Sequence, residues 1–332
     1  MNGFTGPRPF ALFLMVAAAP SAALAAFPAF DNASQPEYAP TFEDGDNGGT
    51  NFEPWSFETG VADGAAGFFL AVGNPDLNSI GTGSGPDAWG LFANEGGTGG
   101  DDVQLAAATR EFKGLGLRIG QTFRISFEHG DIQSGSFVAP GPRTGGFVGF
   151  AMRDTFIGPT IDPFNAFGAV NGQFGFGFRG GDGEYTVYDL VTPSGRSTGL
   201  PFTDAGVNVE LERLGADSYE LRAEHADDPS INVVVAVTIP DTTELREVTI
   251  YNRNAELGDT FFNSLELTPA VCVGDVGPRG DGVNANDLLT VLGSFGETGL
   301  LPYSAGDANG DGAINADDLL AVLADFGDAC TP

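Results

Sequence analysis

The sequence predicts a mainly β protein, an antiparallel sandwich followed by a small α-helical module. Three observations predict this fold class. Apolar residues recur at every second position between about residues 27 and 269. The 332-residue chain has 50 glycines and 28 phenylalanines, which favour short strands and tight turns over long helices. Residues 270–332 contain an internal repeat, so the predicted domains are a leader at 1–26, a sandwich at 27–269 and a module at 270–332.

The composition excludes two classes of partner. The chain carries 45 Asp and Glu against 14 Lys and Arg, a formal charge of −31. A surface this acidic repels phosphate backbones and anionic lipid headgroups, so we expect neither nucleic-acid binding nor adhesion to anionic membranes. Because 42% of the residues are hydrophobic, the chain can still bury a sizeable core.

Residues 1–26 have the pattern of a secretory signal peptide. Arg8 precedes an apolar run over 10–19, and small residues follow it. A buried first helix is the alternative, but Pro20 would break it. We expect cleavage after Ala26 or the residue before it, and a secreted or cell-surface mature protein. No later stretch approaches the roughly 20 apolar residues of a membrane span, so no membrane insertion is expected.

The middle region alternates apolar and polar residues in the manner of half-buried strands. Phe123, Ile125 and Phe127, for example, alternate with polar side chains. Clusters of Gly, Pro and Asp separate such segments, which predicts an antiparallel sandwich or barrel. The alternating segments include 123–127, 174–178, 207–211, 219–223, 231–239, 247–252 and 261–267.

Three segments of this region resemble the concanavalin A-like lectin/glucanase superfamily. They are Phe42-Glu43-Asp44-Gly45-Asp46, Asp87-Ala88-Trp89-Gly90-Leu91-Phe92 and Phe262-Asn263-Ser264-Leu265-Glu266-Leu267. The resemblance implies a jelly-roll sandwich that binds or cleaves sugars outside the cell. Immunoglobulin-like and other sandwiches fit the same pattern.

The middle region shows no clear catalytic motif, so we name no catalytic residue. Glu210 with Glu212, and Glu220 with Glu224, share strand faces, and we interpret them as parts of a solvated outer face. Glucanases of the superfamily carry a Glu-x-Asp-x-Glu strand. The nearest segment here, at 128–131, lacks that spacing and the third acid.

Trp55 and Trp89 lie in glycine-rich stretches and are the candidate ligand-binding residues, as platforms that stack on sugar rings. The alternative is that both pack in the core. The acidic run 43–47 offers oxygen ligands for calcium, or forms a charged turn.

The C-terminal repeat carries the strongest motif. Asp275–Gly296 and Asp307–Gly327 share a loop, an Asn-x-x-Asp-Leu-Leu-x-Val-Leu segment and a Phe-Gly pair. In the second copy, side-chain oxygens fall at loop positions 1, 3, 5, 9 and 12, a glycine at 6 and a backbone carbonyl at 7, which is the EF-hand spacing for Ca²⁺. The predicted ligands are Asp307, Asn309, Asp311, Ala313, Asn315 and Asp318.

The first copy departs from this spacing. Its loop is one residue longer, and Gly277 and Arg279 occupy positions where oxygen ligands are expected. The residues that can still surround a calcium ion are Asp275, Asp281, Asn284 and Asp287. Both copies continue into an apolar stripe, which predicts that the two helices pack on each other through it. The stripes are Leu288, Leu289, Val291, Leu292 and Phe295, and Leu319, Leu320, Val322, Leu323 and Phe326.

A calcium loop that ends in Asp and leads directly into one helix resembles a type I dockerin repeat. The resemblance implies that the module plugs into a cohesin-like domain on a scaffold or cell surface, and so attaches the chain to a polysaccharide-degrading assembly. Dockerins often carry Ser-Thr at loop positions 10 and 11. This chain has Ala285-Asn286 and Ala316-Asp317 there, which leaves the partner open.

Cys272 and Cys330 are the two cysteines of the chain. An even pair in an oxidising compartment predicts one disulfide, which would clasp the ends of the module.

These patterns favour a secreted, non-catalytic protein that binds carbohydrate or is displayed on a surface. The alternatives are a glycoside hydrolase with an unrecognised carboxylate pair, and a structural protein of an envelope or matrix.

Overall fold

The structure, a computed structural model, describes residues 28–61, 64–72, 87–94, 104–113, 116–117, 120–132, 134, 145–154, 173–189, 195–239, 245–253, 255, 258–268, 274–276, 283–300, 305–309 and 311–327. Residues 1–26, Cys272, Asp281 and Cys330 lie outside the described residues. The signal peptide, the disulfide and the calcium ligand predicted there therefore stay predictions. Within the described ranges, no helix has the length and apolar character needed to cross a membrane.

The described chain forms fifteen strands and then two α-helices. The strands are β1 (Ala29–Asp31), β2 (Ser56–Gly60), β3 (Ala65–Ala71), β4 (Ala88–Asn94), β5 (Leu105–Glu111), β6 (Thr122–His129), β7 (Phe147–Arg153), β8 (Phe174–Arg179), β9 (Glu184–Asp189), β10 (Arg196–Pro201), β11 (Val207–Arg213), β12 (Ser218–His225), β13 (Asn232–Thr238), β14 (Glu247–Arg253) and β15 (Thr260–Leu267). The helices are α1 (Ala285–Gly293) and α2 (Ala316–Ala324).

The strands build two antiparallel sheets that face each other. One sheet has the order β13-β12-β11-β6-β15-β4-β3, with β1 beside β15, and the other has the order β10-β9-β8-β7-β14-β5-β2. From β4 to β7, and again from β13 to β15, successive strands alternate between the sheets. The mainly β, two-sheet antiparallel sandwich predicted by the sequence is confirmed.

The first sheet has one buried and one polar face. Val207, Val209 and Leu211 of β11 point into the core between the sheets, and Asn208 and Glu210 lie on the other side with intermediate exposure. This alternation is the one that the sequence predicts for a strand with one face on the core and one in water.

The central strands of the second sheet are buried on both faces, whereas its edge strands β2 and β10 are partly exposed. Every residue of β14 is buried, and a second apolar cluster covers the face that points away from the main core. Glycines let its strands approach closely: a Cβ on Gly149 would lie 2.2 Å from the carbonyl oxygen of Phe176. A Cβ on Gly177 of β8 would likewise lie 2.3 Å from the carbonyl oxygen of Val148, so the alternation of glycine with phenylalanine in β8 includes a position that requires glycine. The second cluster consists of Leu105, Ala107, Phe147, Ala151, Tyr188 and Tyr251.

A fully buried arginine ties the N-terminal segment to the second sheet. The guanidinium of Arg110, on β5, donates to five acceptors, which matches its five N–H groups. Its carboxylate partner is Asp31, which is also fully buried. The other acceptors are the Tyr38 hydroxyl (2.9 Å), the Asn47 Oδ1 (2.7 Å) and the carbonyl oxygens of Gly48 (2.7 Å) and Glu53 (2.8 Å).

The charge of this pair is retained at neutral pH. Burial raises the pKa of Asp31 to about 6, against the opposing effect of Arg110 and of the hydrogen bond from Tyr38. The carboxyl group is therefore ionised at pH 7, and the pair is a buried salt bridge. The guanidinium also lies over the rings of Phe52 and Trp55, at 4.7 and 5.4 Å from their centroids.

Arg110→Met removes the five donors and leaves Asp31 buried without its cation. We expect the free energy of unfolding, measured by urea denaturation at pH 7, to fall by about 3–5 kcal/mol. The matched control is Arg124→Met, because Arg124 pairs with Glu210 and Glu266 on a partly exposed face and such pairs contribute about 0–1 kcal/mol. Equal losses in the two variants would contradict this role of Arg110.

A buried histidine, His129, makes the free energy of unfolding of the sandwich depend on pH. His129 lies among aromatic rings, with its Nδ1 2.8 Å from the carbonyl oxygen of Gly130, and burial lowers its pKa to about 4. An unfolded histidine titrates near pH 6.5, so between about pH 7 and pH 4 the unfolded chain binds more protons than the native chain. Acidification over this window therefore destabilises the native state by roughly 3 kcal/mol through this group.

His129→Phe keeps an aromatic ring in this position and removes the titration. We expect the free energy of unfolding of this variant to fall less between pH 7 and pH 4 than that of the unaltered chain. The difference between the two pH curves isolates the histidine from Asp31, whose raised pKa acts in the opposite direction. Parallel curves would show that His129 does not set the acid sensitivity.

Candidate functional site

The structure corrects the interpretation of the two tryptophans as sugar platforms. Trp55 and Trp89 are 1% and 0% exposed, and their ring centroids lie 5.3 Å apart in the main core. Trp55 Nε1 donates to the hydroxyl of Tyr38 at 3.1 Å, and Phe42 packs against both indoles. The platform prediction is wrong because the N-terminal segment folds over these rings, and core packing is the alternative that the structure shows.

The acidic run at 43–47 forms the charged turn that the sequence left as one alternative. The Asp44 carboxylate accepts from the backbone N–H of Phe57 at 2.8 Å, and the Asp46 carboxylate accepts from the N–H of Glu43 at 2.8 Å. Gly45 takes the left-handed conformation, with φ of 91°. These carboxylates therefore stabilise the turn through backbone hydrogen bonds.

The glutamates on the outer face of the first sheet form ion pairs with arginines of neighbouring strands. Arg124 lies 2.7 Å from Glu210, and Arg222 lies 2.5 Å from Glu220 and 3.6 Å from Glu212. Glu210, Glu220 and Glu224 have intermediate exposure, as the interpretation of a solvated outer face requires, whereas Glu212 is buried.

An open recess of about 600 Å³ lies at one end of the second sheet, across β8, β9 and β10. Its side chains are almost all polar, and two cations stand beside two carboxylates. The polar lining consists of Arg179, Asp182, Glu184, Thr186, Arg196 and Ser197.

Glycines give the recess its shape. The β8–β9 turn closes with a hydrogen bond from the Asp182 N–H to the Arg179 carbonyl oxygen at 3.0 Å, and Gly181 takes a φ of 89° there. Gly195 also has a positive φ, of 80°, and a Cβ on it would lie 2.5 Å from the Tyr188 ring. Glycine is therefore the residue that lets the chain before β10 run so close to β9.

Hydrogen bonds orient the polar groups of the recess. Arg179 donates to the Tyr188 hydroxyl at 3.2 Å, and the Ser197 hydroxyl donates to the Glu184 carboxylate. Arg196 lies 3.8 Å from the Asp189 carboxylate and donates to the Ala236 carbonyl oxygen of β13. Burial raises the pKa of Tyr188 to about 12, so its phenol stays protonated at neutral pH.

The C-terminal repeat folds as two equivalent units. Asn284 and Asn315 cap α1 and α2, and each cap forms a reciprocal capping box with the aspartate three residues later, Asp287 or Asp318. Hydrogen bonds connect the two units to each other. The N–H of Gly296, after α1, donates to the carbonyl oxygen of Ile314, and the N–H of Gly327, after α2, donates to the carbonyl oxygen of Val283. Each loop is therefore held by the segment that follows the other unit's helix.

The helical stripes pack less than the sequence predicts. Val291 and Val322 are buried in the small core of the module, and Leu288 and Leu319 are partly buried against it. The remaining large side chains of both stripes are exposed, because the buried carboxylates of Asp287 and Asp318 occupy the other inward position of each helix. The two helices therefore pack on each other as predicted, through part of each stripe.

The second loop curls around buried carboxylates. Asp307 accepts from the backbone N–H groups of Asp311 and Gly312 at 3.1 and 3.0 Å. Asp318 accepts from the N–H groups of Asn309 and Asn315 at 3.2 and 2.7 Å. Asp307 and Asp318 are 1% and 0% exposed.

The donor chemistry of this loop fits calcium. Carboxylate and amide oxygens, with the carbonyl of Ala313, are the hard ligands that Ca²⁺ prefers. In the part of the chain that the structure describes, no three His, Cys, Asp or Glu side chains gather into a metal-binding group. Calcium binding by this loop therefore stays a prediction.

The first loop is described only in part. Asp275 is partly buried at its start, and Asn284 and Asp287 form the cap of α1. Asp281, the remaining predicted ligand, lies outside the described residues.

Sequence reasoning missed the recess. The Gly-Gly-Asp-Gly segment at 180–183 is the sequence signal that could have indicated it. Such a segment is typical of a hairpin turn, and this turn places charged residues beside each other. The contribution of Arg196 and Ser197 from β10 had no local signal, because it depends on the pairing of β9 with β10.

No family model matches the chain, and no curated protein matches it in sequence. Several solved structures are similar at low identity. The globular domain of T. cruzi calreticulin is 11% identical, with a TM-score of 0.39 over 64% of this chain and 83% of that one. A lectin from Bauhinia forficata in complex with GalNAc is 11% identical, with a TM-score of 0.36 over 73% and 97%. An endo-beta-1,4-glucuronan lyase from the fungus Trichoderma reesei is 10% identical, with a TM-score of 0.37 over 65% and 91%. At these scores, the description of the fold rests on the chain's own strand pairing.

Proposed function

We propose that the chain is an exported, non-catalytic protein whose sandwich binds carbohydrate and whose C-terminal module attaches it to an extracellular partner. The observation that carries the first part is the recess at β8, β9 and β10. The second part is supported by the calcium-loop spacing and the paired units of the module.

The recess suits a polyhydroxy ligand. It presents N–H and O–H donors from Arg179, Arg196 and Ser197 next to acceptors from Asp182 and Glu184. A sugar hydroxyl both donates and accepts, so it can bond to both kinds of group in such a mixed lining, whereas an apolar ligand can bond to neither. Two arginines and two acids leave the lining without net charge, which favours a neutral sugar. The formal charge of the whole chain, −31, also opposes binding of a polyanion.

The affinity of a single site should be modest. The tryptophans that would stack on a sugar are in the core, and Tyr188, under the recess, is 1% exposed. Binding therefore relies on hydrogen bonds that replace equally good bonds to water. A module that holds several copies of the chain along a polymer or on a surface compensates for weak sites through effective concentration.

The module would bind calcium through its second loop. The ligands are the side chains of Asp307, Asn309, Asp311, Asn315 and Asp318 and the carbonyl of Ala313, as the EF-hand spacing predicts. The resemblance to dockerins supports attachment to a cohesin-like protein on a scaffold or cell surface.

One observation favours an alternative, a glycoside hydrolase. Asp182 and Glu184 both line the recess, and glycosidases act through two carboxylates on either side of the scissile bond. Release of reducing sugar from a polysaccharide panel would favour this alternative.

A chain that neither binds nor cleaves glycans would instead fit a structural envelope or matrix protein.

Arg179→Gln and Glu184→Gln each remove one charged partner from the recess. We expect the mature chain to be retained on an insoluble neutral polysaccharide and each variant to bind it about tenfold more weakly, because a hydrogen bond to a charged group contributes roughly 1.5–3 kcal/mol. The control is Arg222→Gln, which changes an exposed arginine on the first sheet. Retention that is unchanged in both recess variants would refute the proposed binding role. Glycan cleavage that Glu184→Gln abolishes would refute the non-catalytic role.

Asp307→Ala and Asp318→Ala remove the first and last predicted ligands of the second loop. We expect isothermal titration of the mature chain to show a calcium site whose affinity falls at least tenfold in either variant, because the remaining ligands are fewer and less charged. Asp275→Ala, the equivalent change in the longer first loop, should leave this site within about twofold. Calcium binding that is insensitive to both second-loop changes would contradict the predicted ligand set.

A further inference from the structure

Two equivalent apolar patches are exposed on the C-terminal module. We name them the α1 patch and the α2 patch. The α1 patch consists of Leu289, Leu292 and Phe295, which are 65%, 55% and 53% exposed. The α2 patch consists of Leu320, Leu323 and Phe326, which are 62%, 50% and 49% exposed.

Neither patch is needed for the module's own core. Val291 and Val322 fill the inward positions of the helices together with Val276, Val283, Ala308 and Ile314. The module could therefore carry polar residues at the six exposed positions and keep its packing. Clustered exposed apolar side chains of this kind mark interaction surfaces.

Acidic residues around the two patches indicate which kind of partner could bind there. Among the described residues of 274–327 there are no Lys, Arg or His and eight acids, of which five are at least partly exposed: Asp275, Glu297, Asp311, Asp317 and Asp325. Glu297 follows Phe295 closely, Asp317 lies one helical turn before Leu320, and Asp325 precedes Phe326. A second copy of the chain or an anionic membrane would bring more negative charge to this rim, which opposes association.

From this combination we propose that the α1 and α2 patches dock a protein surface that is apolar at its centre and rimmed by Lys and Arg. The inference rests on the attachment function proposed above and adds the surface and the partner's chemistry. Recognition then runs through the exposed leucines and phenylalanines of the helices. Of loop positions 10 and 11, where dockerins often carry Ser-Thr, Asp317 takes part in this surface as a rim charge.

The test uses the mature chain with calcium and synthetic amphipathic peptides of known charge. The first probe is a fluorescent helix with leucine on one face and lysine on the other. The second carries glutamate in place of lysine, and the third carries glutamine in place of leucine. The test variant is Leu289→Gln/Leu292→Gln/Leu320→Gln/Leu323→Gln, which keeps good helix formers at exposed positions. The matched control is Val234→Thr, an exposed apolar residue of β13.

We expect the Leu/Lys peptide to bind the unaltered chain and the Val234→Thr control equally, and to bind the quadruple variant at least tenfold more weakly. The Leu/Glu and Gln/Lys peptides should bind weakly to all three proteins. Equal binding of Leu/Lys to the quadruple variant, or binding of Leu/Glu as strong as that of Leu/Lys, would overturn the proposal. So would a leucine-dependent dimer in sedimentation, which would identify a second copy as the occupant.

Two further measurements on the same proteins separate this proposal from the proposed function. Helical circular dichroism and calcium titration of the quadruple variant should match the unaltered chain, which shows that the module is folded. If leucine-dependent binding is present while calcium or glycan binding is not, the proposed function fails and the docking surface stands. If calcium and glycan binding are present while the leucines have no effect, the docking surface alone fails.

Discussion

The sandwich depends on one buried cation. The guanidinium of Arg110 connects β5 to β1 through Asp31, to the turn at 47–48, and to the chain before β2 through Glu53. A buried charge of this kind is tolerated only when its partners satisfy every donor, so the N-terminal segment has to close over the core for the network to exist. This closure covers Trp55 and Trp89 and removes them from any role at the surface.

The central strands of the second sheet are buried on both faces, and this limits where a ligand can bind on that sheet. Its strands carry glycine and alanine where they approach each other, and aromatic rings fill the outer cluster around Tyr251 and Tyr188. The described outer face is therefore packed along β14, and an open recess lies at the end of the sheet, where the β8–β9 turn is built from glycine and aspartate. The first sheet differs, since cross-strand pairs of arginine and glutamate lie along its outer face.

Local patterns were enough to predict the strands and the helices but not their contacts. The alternation of Phe123, Ile125 and Phe127 gave a buried strand face, and the capping residues Asn284 and Asn315 begin the helices where the repeat predicts. The burial of the tryptophans was one of two alternatives that the local pattern left open, because it depends on Arg110 pairing with Asp31 across 79 positions of sequence. The recess was missed for the same reason, since β10 contributes to it only through sheet pairing.

The partial burial of the two helical stripes shows how the module divides its apolar residues between its core and its surface. A nine-residue helix has little more than two turns, and in each unit an aspartate and a valine occupy its inward positions. Asp318 caps α2 and is also the last predicted ligand of the second loop, so the same carboxylate connects the loop to the start of the helix. Burying Asp307 and Asp318 in a module without a described base is unfavourable unless backbone N–H groups and a cation balance their charge. The exposed leucines of the α2 patch lie on a helix whose first turn contains Asp318. Because Asp318 also belongs to the second loop, calcium binding by that loop would affect the geometry of the α2 patch.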